Sequence, residues 1–291
     1  MAELEIICNP IAGNGGARQT ARQIEKTLSD RRVPFRLTYT DRPGHATQLA
    51  QRAAREGAKT VAAVGGDGTL LEVATGLRHT DTALGVIPAG TGNDFAKTVR
   101  IPKGPMAALD AMLALPARPT DTVRINERMF LNETGTGFDV MVLDYAEKAK
   151  RHVQGLLPYL YGVIRTIFHF QSVRLSLSVD GAPAEEKELL VLGAGNGRFI
   201  GGGIPIAPDA RPDDGLLDVV LVDRMSKCRM LSVLAGLLKG KILSFPETTF
   251  VRARKLVIEG KGLRINIDGE ILPMDRAEIE IDPASLLIHR P

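Results

Sequence analysis

The sequence predicts an α/β domain with a largely parallel sheet, followed by a mostly β domain of sandwich character. Three observations predict it. Apolar strand-like runs alternate with helix-period runs through about residue 115, and Gly-rich stretches follow the apolar runs. Beyond Ala117-Arg118-Pro119 the chain turns to short strands divided by Asp-Gly pairs. The expected division is residues 1–118 and 119–283, with the strand-like 284–291 returning to the first domain.

Leu4–Cys8 is apolar and ends at Asn9-Pro10, and a Gly-rich turn through Gly16 leads to Ala17–Leu28, where Ala21, Ile24 and Leu28 recur at helical spacing. Phe35–Tyr39 alternates as a strand does, Ala46–Arg55 reads as a helix, and Thr60–Val64 enters Gly65-Gly66-Asp67-Gly68-Thr69. Leu70–Leu77 and Ala83–Ile87 continue the alternation of helix and strand. Such sheets bind ligands at the carboxyl ends of their strands, where stretches 9–16, 65–69 and 90–94 all fall.

In the second part, strands are expected at Thr120–Ile125, Met129–Asn132, Val173–Val179, Glu188–Leu192, Leu216–Val222, Phe250–Ile258 and Leu263–Ile267. Turns are expected at Gly135-Thr136-Gly137, Asp180-Gly181, Asp214-Gly215 and Asp268-Gly269. Helical patches fall at Val140–Lys150, Gly155–Phe170 and Lys227–Lys239, and Ser285–His289 is strand-like.

Composition excludes several classes. With 37 Lys plus Arg against 34 Asp plus Glu, the net charge of +3 gives no bulk case for nucleic acid. Two cysteines, Cys8 and Cys228, are too few for a disulfide scaffold and suggest a reducing, cytoplasmic setting. No run approaches the roughly 20 apolar residues that span a bilayer, so action on lipid would mean visiting a membrane surface. The five histidines are scattered without ligand spacing.

A single Gly-Asp-Gly is ordinary turn chemistry. Here a second loop, Gly90-Thr91-Gly92-Asn93-Asp94, follows the next strand. Gly65, Gly66, Gly68, Gly90 and Gly92 permit backbone approaches that aim N–H groups at phosphate oxygens, and Asp67 and Asp94 supply carboxylates for a hard cation. There is no G-x-x-x-x-G-K-[ST] sequence, and Gly13-Asn14-Gly15-Gly16-Ala17-Arg18 departs from the dinucleotide fingerprint G-x-G-x-x-G.

Asn9-Pro10 with Gly13, GGDGTL at 65–70 and PAGTGNDFA at 88–96 resemble the catalytic domain of the bacterial diacylglycerol kinases, lipid kinases related to sphingosine and ceramide kinases. In the same order stand NETGTGFD at 132–139, GNGRFIGGGIPIAPDARPDDGLLDV at 195–219 and Asp268-Gly269-Glu270, so the resemblance covers nearly the whole chain. GGDGT is shared with NAD kinases; the longer segments are specific.

The resemblance implies an N-terminal fold like that of NAD and diacylglycerol kinases, with ATP and Mg2+ as cofactors and phospholipid metabolism as the setting. Asn9, Pro10, Ile11, Ala12, Gly13, Thr40, Gly66, Asp67, Gly68, Thr69, Leu70, Leu71, Glu72 and Thr91 match nucleotide-contacting positions. Asp67, Asp94 and Asp121 match carboxylates that organise a magnesium and water network, and Arg211, Asp214 and Leu216 match a second, structural magnesium site. Glu270 matches the general base, with Asp67 as its catalytic companion on the metal. Leu71 stands where the common form GGDGTLNE has Asn, while Glu72 is retained.

The expected function is ATP-dependent transfer of the γ-phosphate to a hydroxyl of diacylglycerol or a related lipid, in a cleft between the domains. Alternatives are an NAD-kinase-like soluble metabolite kinase and a catalytically weak nucleotide- or lipid-binding protein. The expected partner is a lipid at a membrane surface, with a homodimer as a candidate assembly and no nucleic acid. The apolar segment Gly155–Phe170 either lines an acyl-chain groove, touches a membrane, or lies buried on the second sheet. The preceding Lys148, Lys150, Arg151 and His152 suit anionic head groups or form a solvated face.

Overall fold

The computed structural model describes residues 3–149 and 157–291 and, of residues 158–160, the backbone. It divides into two units. The first comprises Met1–Thr122, Pro212–Gly215 and Asp282–Pro291, and the second Val123–Arg211 and Leu216–Ile281.

In the first unit the elements run β1 (Leu4–Cys8), α1 (Gly16–Asp30), β2 (Phe35–Tyr39), α2 (His45–Arg55), β3 (Thr60–Gly65), α3 (Asp67–Leu77), β4 (Ala83–Pro88), α4 (Asp94–Thr98), α5 (Pro105–Ala114) and the start of β5 (Ala117–Ile125). The sheet order is β4-β3-β1-β2, all parallel. Leu4 pairs with both Phe35 and Thr60, and Cys8 with both Tyr39 and Val64, so the strands end level and their loops leave one edge together. β1 is buried along its length because helices cover both faces. Ala17, Ala21, Ile24 and Leu28 place the apolar stripe of α1 on Ile6, Ala62 and Ile87.

The second unit holds β6 (Arg128–Phe130), β7 (Glu133–Gly137), α6 (Phe138–Ala149), α7 (Leu157–His169), β8 (Val173–Val179), β9 (Glu185–Gly195), β10 (Phe199–Ile200), β11 (Ile204–Pro205), β12 (Leu217–Asp223), α8 (Lys227–Leu238), β13 (Thr248–Ala253), β14 (Lys255–Glu259), β15 (Arg264–Ile267), β16 (Glu270–Pro273) and the start of β17 (Arg276–His289). Its strands pair antiparallel in the order β16-β15-β7-β9-β8-β14, with β12 joining β9 to β13. Leu177, Leu192, Val219, Leu256, Ile265 and Ile279 lie in its main core. A second cluster, with Ile167, Leu190, Val220 and Met230, seats α7 and α8.

Three local expectations need correction. Gly135-Thr136-Gly137 is strand, not turn: a Cβ on Gly135 would lie 2.6 Å from Leu192 O, and on Gly137 2.3 Å from Leu190 O, so these glycines admit a close neighbouring strand. Phe250–Ile258 is two strands, because the N–H groups of Arg254 and Lys255 both donate to Asp180 Oδ1 at 2.8 Å, between β13 and β14. Asp214-Gly215 forms no hairpin and lies in the Pro212–Gly215 segment of the first unit. The other two Asp-Gly pairs do turn hairpins, with positive φ at both residues as a type I′ turn requires. Lys150, Arg151, His152, Gly155 and Leu156 lie outside the described residues, as do the side chains of Tyr159 and Leu160.

Asp121 fastens the returning segments of the first unit. Its buried carboxylate accepts the N–H of Ala284 at 2.7 Å and of Gly215 at 2.8 Å, while its own N–H donates to Pro212 O at 2.7 Å. Asp121→Ala strands two backbone donors and should lower unfolding free energy by about 2–4 kcal/mol in urea titration. A loss under about 0.5 kcal/mol would show that water replaces the carboxylate.

Candidate nucleotide and phosphoryl-transfer site

Three loops meet at the carboxyl edge of the parallel sheet with backbone against backbone. Gly13 has φ +58°, and a Cβ there would lie 2.2 Å from Ala89 O; a Cβ on Gly90 would lie 2.4 Å from Gly66 Cα. Asn93, at φ +52°, closes the third loop on itself: its Oδ1 accepts Gly90 N–H at 3.1 Å and its Nδ2 donates to Gly90 O at 2.7 Å. The contacts leave no room for a Cβ at Gly13 or Gly90, so main chain meets main chain there, while the Ile11 side chain on the first loop is exposed.

Asp67 begins α3 and Asp94 begins α4. Oδ1 of Asp67 accepts the Phe95 N–H at 3.2 Å, while Asp94 Oδ1 pairs with Lys97 Nζ at 2.9 Å. A Cβ on Gly92 would stand 3.0 Å from Asp67 Oδ2 and 3.7 Å from Asp94 Oδ2, so one oxygen of each carboxylate borders the same spot. Burial raises the Asp67 carboxyl above the usual range, the Asp94 charge raises it further, and the N–H groups of Phe95, Asn93 and Asp94 oppose the rise. Two crowded carboxylates suit a hard divalent cation. Among the described residues no group of three or more His, Cys, Asp or Glu side chains converges, so such an ion would keep waters or take phosphate oxygens, as Mg2+ prefers.

The remaining predicted positions divide. Asn9, Pro10, Ile11, Ala12, Gly13, Gly66 and Thr91 belong to the converging loops, Gly68 lies in the first turn of α3, and Thr40 follows β2 at the same edge, its N–H on Cys8 O at 2.9 Å. Thr69, Leu70, Leu71 and Glu72 lie in the first turns of α3. The Glu72 carboxylate accepts the N–H groups of Gly44 at 2.9 Å and Ala46 at 3.1 Å, and so caps α2. Asp121 is not brought to the Asp67–Asp94 pair. It bonds Ala284, whose neighbour Ser285 accepts the His79 N–H just before β4, at the opposite, amino end of that strand. Arg211, Asp214 and Leu216 flank or belong to the turn that Asp121 holds.

In the second unit Glu270 follows the turn Asp268-Gly269, is exposed, and pairs with Arg128 NH1 at 2.8 Å. The turn is over-determined. Asp268 accepts the N–H groups of Leu131, Asn132 and Glu133 at 2.9, 3.1 and 2.9 Å, and Asn266 Oδ1 accepts Gly269 N–H at 2.8 Å. Asn266 Nδ2 lies 3.3 Å from both Glu133 Oε2 and Asp139 Oδ2. Burial pushes the Asp139 carboxyl up to about 6, and its Oδ1 is closed from solvent without a hydrogen-bond partner. The segments holding Glu133, Asp139 and Asp268 stand out in the sequence, but the network that joins them through Asn266 does not.

Comparison with known proteins divides the chain near the same point but places 212–215 and 282–290 in the second match. Residues 3–125 match the family described as the diacylglycerol kinase catalytic domain, and residues 132–290 match the YegS C-terminal NAD kinase beta sandwich-like domain. The chain belongs to the diacylglycerol kinase family of lipid kinases. This lipid kinase is 38% identical to a probable lipid kinase YegS-like protein of Pseudomonas aeruginosa, over 96% of this chain and 91% of the relative. It is 30% identical to a diacylglycerol kinase of Mycobacterium tuberculosis, over 100% of this chain and 96% of the relative. A putative diacylglycerol kinase from Bacillus anthracis superposes with TM-score 0.81 at 26% identity, covering 99% of this chain and 97% of that one. An Archaeoglobus fulgidus NAD kinase solved with ATP shares the fold at TM-score 0.54 and 13% identity, over 99% of this chain and 93% of that one.

Asp139 supplies a pH test in the lipid kinase. Its raised carboxyl means that stability is fully present below the ordinary value of 3.8 and is lost as pH rises through about 6. Relative to the parent, Asp139→Asn should therefore gain up to about 3 kcal/mol in unfolding free energy between about pH 4 and pH 8. A difference that stays flat over that interval would mean that Asp139 is not held protonated by burial.

Proposed function

We propose that this lipid kinase is ATP- and Mg2+-dependent and phosphorylates a hydroxyl of diacylglycerol or a closely similar lipid. The observation that carries the reading is the pair of carboxylates, Asp67 and Asp94, crowded at one spot among loops that meet backbone against backbone. That combination suits a metal-bound triphosphate. The Mycobacterium tuberculosis relative named a diacylglycerol kinase supports the acceptor class. The long match to the diacylglycerol kinase family disfavours NAD as acceptor, since NAD kinases share the fold but little sequence.

Phosphoryl transfer asks the protein chiefly to align two oxygens and offset charge on the transferring group. Asn9–Gly13, Thr40, Gly66–Leu71 and Thr91 would bind the nucleotide, with Glu72 supporting that surface through its cap on α2. Asp67 and Asp94 would hold the ion, which supplies positive charge against the phosphate oxygens when bound. Glu270 would accept the proton from the lipid hydroxyl, its carboxylate oriented by Arg128. Arg211, Asp214 and Leu216 would hold a second, structural ion on the turn that Asp121 pins. No helix among the described residues is long and apolar enough to cross a membrane, which fits work from the cytoplasmic face as a peripheral protein.

Purified protein with labelled ATP should transfer label to diacylglycerol in mixed micelles; label in NAD alone would refute the reading. Glu270→Gln should lower kcat about 100- to 10,000-fold while nucleotide binding persists. Turnover within about threefold of the parent would remove Glu270 from the proton transfer. Asp67→Asn should abolish Mg2+-dependent thermal stabilisation by the nucleotide, read by scanning calorimetry.

A further inference from the structure

A recess of about 800 Å3 opens wholly within the second unit, among the end of α7, β8, β9, the start of α8 and the loop before β15. None of the site residues discussed so far lines it. Its floor is apolar, with Phe170, Leu190 and Met230, and its rim carries Arg174, Arg224, Lys227 and Lys261. One acid, Glu188, stands among these four cations. It is already engaged by Ser172, by Arg224 at 3.2 Å and by Arg174 at 3.5 Å, and these contacts hold its carboxyl below the ordinary range. Arg174 and Arg224 keep 81% and 73% of their side-chain surface in water, so their charge is open to a ligand.

Beside the recess, α7 presents an apolar stripe left open among the described residues. Leu157, Tyr161, Ile164 and Phe168 recur at intervals of four, three and four residues, the period of one helical face, and are 59, 46, 48 and 64% exposed. On α8, Leu231 and Leu238, seven residues apart, are 55 and 60% exposed. Lys227 joins the two features: its Nζ donates to Phe168 O at 2.9 Å and lies 5.8 Å from the centre of the Phe168 ring. Apolar side chains beside cations form the pattern of a surface that inserts a few ångströms into an anionic bilayer.

We propose that this face docks on a membrane and that the recess takes an anionic phospholipid, its phosphate on the Arg174, Arg224 and Lys261 rim and its upper acyl chain on the apolar floor. The proposal rests on the reading of the substrate as a lipid. It adds where the enzyme meets the bilayer and which lipid charge it selects. An excess of cations over one occupied carboxylate matches a phosphodiester and gives nothing to a zwitterionic surface. The apolar floor distinguishes a lipid from a free phosphate.

Vesicle co-sedimentation without ATP tests it, comparing phosphatidylcholine vesicles with vesicles containing phosphatidylglycerol. The parent protein should partition at least tenfold more strongly onto the anionic vesicles. Arg224→Glu with Lys261→Glu should remove most of that preference, since each surface cation near anionic lipid contributes about fivefold. Ile164→Ser with Phe168→Ser, both at exposed positions, should weaken binding to either vesicle about tenfold without altering the thermal transition. Equal binding to both vesicles, or binding indifferent to both double variants, would overturn the proposal. So would displacement by millimolar glycerol 3-phosphate, which would mark a soluble-anion site, or a dimer in light scattering that Phe168→Ser dissolves, which would assign the face to a second copy. A parallel assay on water-soluble dioctanoylglycerol separates the two readings: phosphorylation without vesicle binding sinks only the docking face.

Discussion

The approach of three peptide backbones at the end of a parallel sheet is the constraint on which the candidate nucleotide site rests. Gly13 against Ala89, and Gly90 against Gly66, leave no volume for a Cβ. That exclusion brings the start of α3 beside the start of α4, and so Asp67 beside Asp94. Burial raises the Asp67 carboxyl, and the Asp94 charge beside it raises it further. Two carboxylates crowded in this way suit a hard divalent cation.

In the second unit a buried polar lattice performs the equivalent task. Asp268 gathers three backbone donors and Asn266 a fourth, so the two-residue turn before Glu270 is rigid although the Glu270 side chain is exposed. The Glu270 carboxylate is thus set by the backbone beneath it, while the side chain stays accessible. Asp139 and Glu133, both within reach of the Asn266 amide, continue the lattice inward.

Much of the fold was legible because its signals are local. The strand and helix alternation of the first unit follows from apolar period and Gly punctuation, and the Asp-Gly pairs at 180 and 268 specify hairpins through their own backbone preferences. The same reasoning failed where a glycine answered to a distant strand. Gly135 and Gly137 read as a turn, yet they serve Leu192 and Leu190, more than 50 residues away. Phe250–Ile258 read as one strand because the break comes from Asp180, which local pattern cannot register.

The sequence by itself determined the loop chemistry: which residues are glycine, which carry carboxylates, and that both follow buried strands. Tertiary structure decided which carboxylates act together. Asp94 joins Asp67, Asp121 is drawn to the other end of β4 by the N–H groups of Gly215 and Ala284, and Glu72 is spent on the cap of α2. The reason is physical: an acidic side chain serves whichever buried donors or charges the chain brings within 3 Å or so, and those partners lie tens of residues away in sequence.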